Sequence, residues 1–348
     1  MAPYALAEIA APAGKRLISL AQNESACAPS PAVAEAVAAA LSDAPLYPDP
    51  DWTDLRAAIA EVHGLDEGRI LCGAGSMELI GALIRAYAGR GDQVLASQYS
   101  YAFFRTASQL AEADYVTAAE TAYTVDVDAL LQAAGPETRI VCVANPGNPT
   151  GTVIPDTELR RLRNGLPEGV LLLIDEAYGE FSDTAPLFDL VEGGNTVVMR
   201  TFSKAYGLAG MRVGWGLFPE AVTAELRKLL NPNNISGPAQ AAAVAAMRDQ
   251  AYMRRTVETT AHLRDEFCAA LREIGLRPVD SKTNFVLIPF RDAETTRLAD
   301  LALREEGIVM RGMGGYGLAH CLRATIGARE DMTFAIDVLT CWAKEIDP

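Results

Sequence analysis

The sequence predicts an α/β fold: a large domain with a mostly parallel, mixed sheet flanked by helices, followed by a smaller α+β domain. Three observations predict it. Short, wholly apolar runs of strand length recur between about residues 70 and 217, separated by segments of helical spacing. Four of these runs end in turns that carry glycine, asparagine, aspartate or lysine, as strands do when they deliver polar groups to one edge of a parallel sheet. Beyond residue 276 the order changes to strand, helix, strand, strand and helix, the mark of a separate α+β unit.

A chain of 348 residues is long enough for a large core and two domains. Half of its residues are hydrophobic and 22% are charged, as in a globular enzyme. The net charge of −15 opposes binding to a nucleic-acid backbone, so an anionic ligand has to be met by local arginines. No apolar run approaches the length of a membrane span, and no basic segment followed by an apolar stretch opens the chain; a cytoplasmic protein without a membrane partner is expected. The six cysteines form no C-x-x-C pair and read as small buried hydrophobes, while three scattered histidines suggest neither a zinc cluster nor a Ser-His-Asp site. No metal is expected.

In chain order, Pro3, Pro12, Pro29 and Pro31 interrupt the first stretch, and residues 1–30 read as an arm lying over the surface or a partner subunit. A large domain is expected over 31–245 and a small one over 246–348. Residues 32–41 form an alanine-rich helix, the Pro/Asp-rich run 46–51 an exposed loop, and 53–62 a second helix. A strand at 69–72 runs into Gly73-Ala74-Gly75-Ser76, which opens a helix over 77–88. Such a turn presents free N–H groups and the positive end of a helix dipole to a phosphate, although packing alone also produces it. Strands follow at 93–96, at 140–144 before Asn145-Pro146-Gly147-Asn148-Pro149-Thr150-Gly151, at 170–174 before Asp175-Glu176-Ala177-Tyr178, and at 196–199 before Lys204. Residues 238–274 read as one long helical region. Thereafter come a strand at 284–288, a helix at 293–306, strands at 308–311 and 321–326, and a closing helix at 331–346; Gly312 to Gly317 reads as a mobile loop.

The run from Thr201 to Arg212 concentrates the chemistry. A lysine just past a buried strand is partly desolvated, loses proton affinity and becomes a nucleophile toward an aldehyde. Thr201, Ser203 and Arg212 are groups that a phosphate needs. Together they suggest pyridoxal phosphate; a loop with one exposed lysine and one structural arginine is the plainer alternative. If the strands are parallel, Gly75-Ser76, Asn148, Asp175, Tyr178 and Lys204 converge in one cleft.

The set formed by Asn23-Glu24, Tyr47-Pro48-Asp49-Pro50, Gly75-Ser76, Asn148-Pro149-Thr150-Gly151, Asp175-Glu176-Ala177-Tyr178, Lys204 to Arg212 and Leu322-Arg323 resembles, in order and spacing, the histidinol-phosphate aminotransferase-like subgroup of the fold-type I, pyridoxal-phosphate-dependent aminotransferases. The resemblance covers nearly the whole chain. It implies that Lys204 bonds to the cofactor aldehyde and carries protons, that Asp175 faces the pyridine nitrogen, and that Tyr178 and Asn148 hydrogen-bond the ring oxygen. Tyr101, or its neighbours Tyr99 and Phe103, would stack on the ring. Gly75, Ser76, Met77, Thr201, Ser203 and Arg212 would hold the cofactor phosphate, joined by Tyr47 of a second subunit across a homodimer interface. Arg323 would take the substrate carboxylate, an internal Asp or Glu being the alternative partner; Asn23 lines the substrate pocket, and Arg311 with Tyr4 would take a distal phosphate. Ala74 and Met77 stand where many relatives carry Asn and Asp, which removes polar support from the phosphate turn.

The resemblance implies a ping-pong transaminase that moves an amino group from histidinol phosphate or an aromatic or other amino acid to a 2-oxo acid, 2-oxoglutarate. A phosphothreonine-type decarboxylase on the same scaffold is the runner-up, and a non-enzymatic sensor domain is a remote third.

Overall fold

A computed structural model describes residues 10–345 of the protein. Tyr4, to which a substrate contact was assigned, lies outside the described residues. The larger sheet has seven strands in the order Ile70–Gly73, Gly214–Leu217, Thr196–Thr201, Leu171–Asp175, Thr138–Ala144, Gln93–Ser97 and Asp114–Ala118. All but Gly214–Leu217, which is antiparallel to both neighbours, point the same way. The central strands are buried along their whole length because helices cover both faces, which is why they read as unbroken apolar runs rather than alternating ones. One consequence decides the location of the site: the C-terminal ends of these strands lie along one edge.

The second sheet has the order Ile18–Leu20, Ile308–Met313, Leu318–Thr325 and Phe285–Pro289. It holds its own core, in which Val286, Ile288, Ile308, Met310 and Leu322 pack against Phe267, Leu271, Leu303 and Leu339 from three helices. The expected arm thus contributes a strand: Ile18–Leu20 pairs in parallel with Ile308–Met310, and Ile18 and Leu20 are buried. Three residues are too few to show a periodicity.

Two further expectations are corrected. Residues 238–274 form two helices, Gly237–Arg248 and Gln250–Glu273, broken at Asp249, whose ψ of 60° leaves the helical region and whose carboxylate accepts the Tyr252 N–H at 3.0 Å. The break falls where the chain leaves one core for the other: Ala239, Ala242, Ala243 and Ala246 pack in the larger core, Leu263, Phe267 and Leu271 in the smaller. The run Gly312 to Gly317, read as a mobile loop, is largely regular structure. The strand continues to Met313, Gly314–Tyr316 makes one 3₁₀ turn, and Leu318 begins the return strand.

Leu20 shows how much the N-terminal strand contributes. Leu20→Ala empties a site in the smaller core and is expected to cost about 3 kcal/mol, read as a lower urea midpoint; an unchanged midpoint would show that the strand is dispensable.

Candidate active site

A cavity of about 370 Å³ opens at the C-terminal edge of the large sheet and is closed on its far side by the second sheet and the segment 21–24. Asp175 and Lys204 both line it, as do Ser76, Met77, Tyr101, Asn148, Tyr178, Thr201, Ser203 and Arg212 from the large sheet's strand ends. Asn23, Arg311 and Arg323 line it from the other wall. Of the aromatics weighed for a stacking role, Tyr101 reaches the cavity, whereas Tyr99 packs on Tyr123 at 6.1 Å. Gly75 lies beneath the Arg212 guanidinium rather than on the cavity surface. Tyr47 is 89% exposed and does not reach the cavity of its own chain.

Asp175 ends a strand buried on both faces and is itself buried. Burial, with the adjacent Glu176 adding, pushes its carboxyl up to about 7, opposed by the Ala177 N–H that donates to Oδ1 at 3.1 Å and by Lys204. Its ionised form is therefore favoured by a cationic partner facing it. Lys204 is pushed down to about 8, first by burial and then by the Arg323 and Arg212 charges, with Glu24 and Asp175 opposing. A fraction of its amine is thus unprotonated near neutral pH. Lys204 Nζ donates to the Asn23 carbonyl at 2.9 Å and lies 5.8 Å above the Tyr178 ring. Burial also raises the Tyr178 hydroxyl, which accepts the Asn23 Nδ2–H at 2.8 Å.

The helix Ser76–Tyr87 begins at the cavity with its free N–H groups forward, after Gly75 takes φ +79° and ψ 159°, a conformation open to glycine. Arg212 packs so closely over Gly75 that a Cβ there would stand 2.5 Å from Nη2, and Nη1 reaches Ser203 Oγ at 3.5 Å. Thr201 Oγ1–H donates to Ser203 Oγ at 3.0 Å. A helix N-terminus, two hydroxyls and a guanidinium converge as an anion seat, and a buried carboxylate and an amine of lowered basicity face the same cavity. This donor set fits a cofactor that carries a phosphate, a basic ring nitrogen and an aldehyde.

Arg323, buried on the opposite wall, donates from Nη1 to Asn148 Oδ1 at 2.7 Å and from Nη2 to the Ala21 carbonyl at 3.2 Å. Arg311 is its cross-strand neighbour in register, so two guanidinium-bearing residues sit side by side there.

Sequence reasoning missed the residues that hold these groups in place. Arg200 donates from Nε and Nη2 to Glu176 at 3.0 and 2.8 Å and from Nη1 to Glu180 at 3.1 Å, a buried ion cluster under the turn that carries Asp175 and Tyr178. Asn284 Nδ2 donates to the carbonyls of Asn23 and Glu24, both at 3.1 Å. The signal for Arg200 was a charge inside an apolar strand two residues before Phe202; Asn284 gave none beyond its place at a strand start.

The sequence pattern of the family described as "Aminotransferase class I and II" matches residues 15–339. The chain is 45% identical over 343 residues to the histidinol-phosphate aminotransferase of Paramagnetospirillum magneticum, covering 97% of this chain and 94% of that protein. It is 44% identical over 351 residues to that of Rhodospirillum centenum, covering 99% and 96%. Among solved structures, the histidinol-phosphate aminotransferase of Sinorhizobium meliloti in complex with pyridoxal-5'-phosphate superimposes with a TM-score of 0.90 at 31% identity, over 95% of this chain and 92% of that one.

Gly214 controls how closely the antiparallel strand approaches the anion seat, since a Cβ there would lie 2.2 Å from the Ser76 nitrogen and 2.6 Å from the Gly75 carbonyl carbon. Both are backbone atoms that cannot swing aside. Gly214→Ala is expected to lower stability by about 3 kcal/mol or more in urea unfolding, and wild-type stability would show that the approach is not required.

Proposed function

The chain belongs to the class I and II aminotransferases, and from that premise we propose the residue roles, the substrate and the assembly that follow. It is a pyridoxal-phosphate-dependent transaminase with the fold-type I architecture. Pyridoxal phosphate supplies, when bound, a ring that takes up the electrons left on a substrate carbon as its proton departs.

In the proposed arrangement Lys204 holds the cofactor by its amine, and Nζ then accepts and returns the proton at the substrate carbon. Its lowered basicity supports both tasks. Asp175 holds a proton on the ring nitrogen opposite its carboxylate, and the positive charge there keeps Asp175 ionised. Tyr178 and Asn148 orient the ring through its oxygen, Tyr101 covers one face, and Ser76, Met77, Thr201, Ser203 and Arg212 bind the phosphate. The single observation that carries this reading is that Asp175, Lys204 and the anion seat share one cavity.

Arg323 and Arg311 support anionic amino donors and acceptors, and Arg323 is proposed to take the carboxylate of 2-oxoglutarate. The names borne by the most similar relatives support histidinol phosphate as donor, with Arg311 toward its phosphate and Asn23 in the pocket wall, and hence a place in histidine biosynthesis. An aromatic amino acid is the next donor to test. Neither the decarboxylase nor the sensor-domain reading draws support from these relatives. A cytoplasmic homodimer is proposed: Leu41, Leu46 and Tyr47, close in sequence, are all exposed, and Tyr47 would reach the phosphate seat of a partner. Among the described residues no helix is long and apolar enough to cross a membrane.

Several amino donors incubated with 2-oxoglutarate should give glutamate fastest with histidinol phosphate; a faster turnover of phenylalanine would reassign the substrate. Lys204→Ala should lose the yellow colour of the cofactor-bound protein and more than about 10³-fold in turnover, and retained turnover would contradict its role. Asp175 also makes a prediction for the cofactor-free protein. Its folded pKa, about 7, lies above its ordinary value near 4, so the stability tied to the neutral form is full below pH 4 and is lost as pH rises to 7. Asp175→Asn should therefore stabilise the cofactor-free protein by an amount that grows from pH 4 to 7, reaching up to about 4 kcal/mol, and is flat above, while cofactor binding weakens. A pH-independent difference in urea unfolding would contradict it.

A further inference from the structure

Outside the cavity, behind the glycine-rich turn that begins the helix Ser76–Tyr87, runs a chain of three side chains. The Trp52 indole N–H donates to Asn234 Oδ1 at 2.9 Å, Asn234 Nδ2–H donates to Glu78 Oε2 at 2.6 Å, and the same Oε2 accepts the Ala74 backbone N–H at 2.6 Å. None of the three lines the cavity. The geometry points to Asn234 as a positioning residue for the cofactor, held in its working orientation by Trp52 and acting through Glu78 on the turn that seats the cofactor phosphate. The inference rests on the proposal that this turn is the phosphate seat.

The turn needs outside support. Ala74 and Met77 bring no polar side chain to it, and Gly75 takes a backbone conformation that other residues avoid, so much freedom must be removed to fix it. Glu78, in the first turn of the helix, removes that freedom by binding the Ala74 N–H. A carboxylate near a phosphate seat is nevertheless a repulsive charge, and it has to be drawn back behind the turn. Asn234 does so with an N–H bond, and the orientation of its amide is not free. An indole N–H only donates and a carboxylate only accepts, so Oδ1 must face Trp52 and Nδ2 must face Glu78; the flipped amide would set oxygen against oxygen and N–H against N–H. Trp52 is itself fixed, 3% exposed, at the head of the helix Thr53–His63, with the Arg227 guanidinium 5.9 Å above its ring. Asn234 and Trp52 thus hold the seat from two segments that do not touch the ligand, so the seat is formed before the ligand arrives.

Pyridoxal phosphate and pyridoxal differ only by the phosphate, which isolates the effect. Each is titrated into cofactor-free wild-type protein, Asn234→Ala and Trp52→Phe, and binding is followed by absorbance. In wild type, pyridoxal phosphate should bind far more tightly than pyridoxal; equal affinity would overturn the phosphate seat itself. In Asn234→Ala the dissociation constant for pyridoxal phosphate should rise about tenfold while that for pyridoxal changes less than about twofold. Trp52→Phe, which keeps the packing and removes only the indole donor, should raise the pyridoxal phosphate constant about threefold and keeps the test open should the alanine variant fail to fold. Wild-type affinity for pyridoxal phosphate in both variants, or equal weakening of both ligands, would overturn the positioning role.

Discussion

A carboxylate placed at the end of a strand that is buried on both faces is the constraint to which the rest of the site answers. Water cannot stabilise the ionised form of Asp175 there, and its pKa climbs to about 7. The neighbours limit the cost. Ala177 donates one N–H, and the Glu176 carboxylate next in sequence is taken up by Arg200, which binds Glu180 as well. What remains is an acid only partly charged near neutral pH, whose charged form a cation brought before it would favour, as the proposed ring nitrogen of the cofactor would.

The same edge of the sheet solves a second electrostatic problem. In a protein of net charge −15, Arg212 from the large sheet's side and Arg311 and Arg323 from the second sheet line one cavity, which suits it to the phosphate and carboxylate groups proposed to bind there. After burial, the charges of two of them, Arg323 and Arg212, also lower the basicity of Lys204. The proposed binding of anions and the lowered basicity of the lysine would therefore share one charge distribution. No separate device is needed for the second.

Much of this was legible in the sequence because the strands announce themselves. Apolar runs ending in Asp175, Asn148, Gly75-Ser76 and Lys204 required only a shared direction to bring those residues together, and the sheet supplies it. The local grouping was legible where the residues are near neighbours in sequence, as with Lys204 and Arg212 beside Thr201 and Ser203, which the fold keeps on one cavity. Contacts between distant segments were not. Asn284 and Asn234 carry no local signal, since a single amide is common in any turn and gains meaning only from what the fold sets opposite it. The strand Ile18–Leu20 escaped for a different reason, being too short for its pattern to rise above chance, and the break at Asp249 was hidden by helical spacing on both sides.

Asn23 joins the two sheets at one buried point. Its backbone takes φ +56°, a conformation that asparagine tolerates better than most residues. Its carbonyl accepts from Lys204 and Asn284, its amide group donates to Tyr178, and its backbone N–H donates to Thr325, two residues beyond Arg323 on the same strand. Because Thr325 shares its strand with Arg323, a displacement of that strand would reach, through Thr325, the peg to which the Lys204 amine is tied.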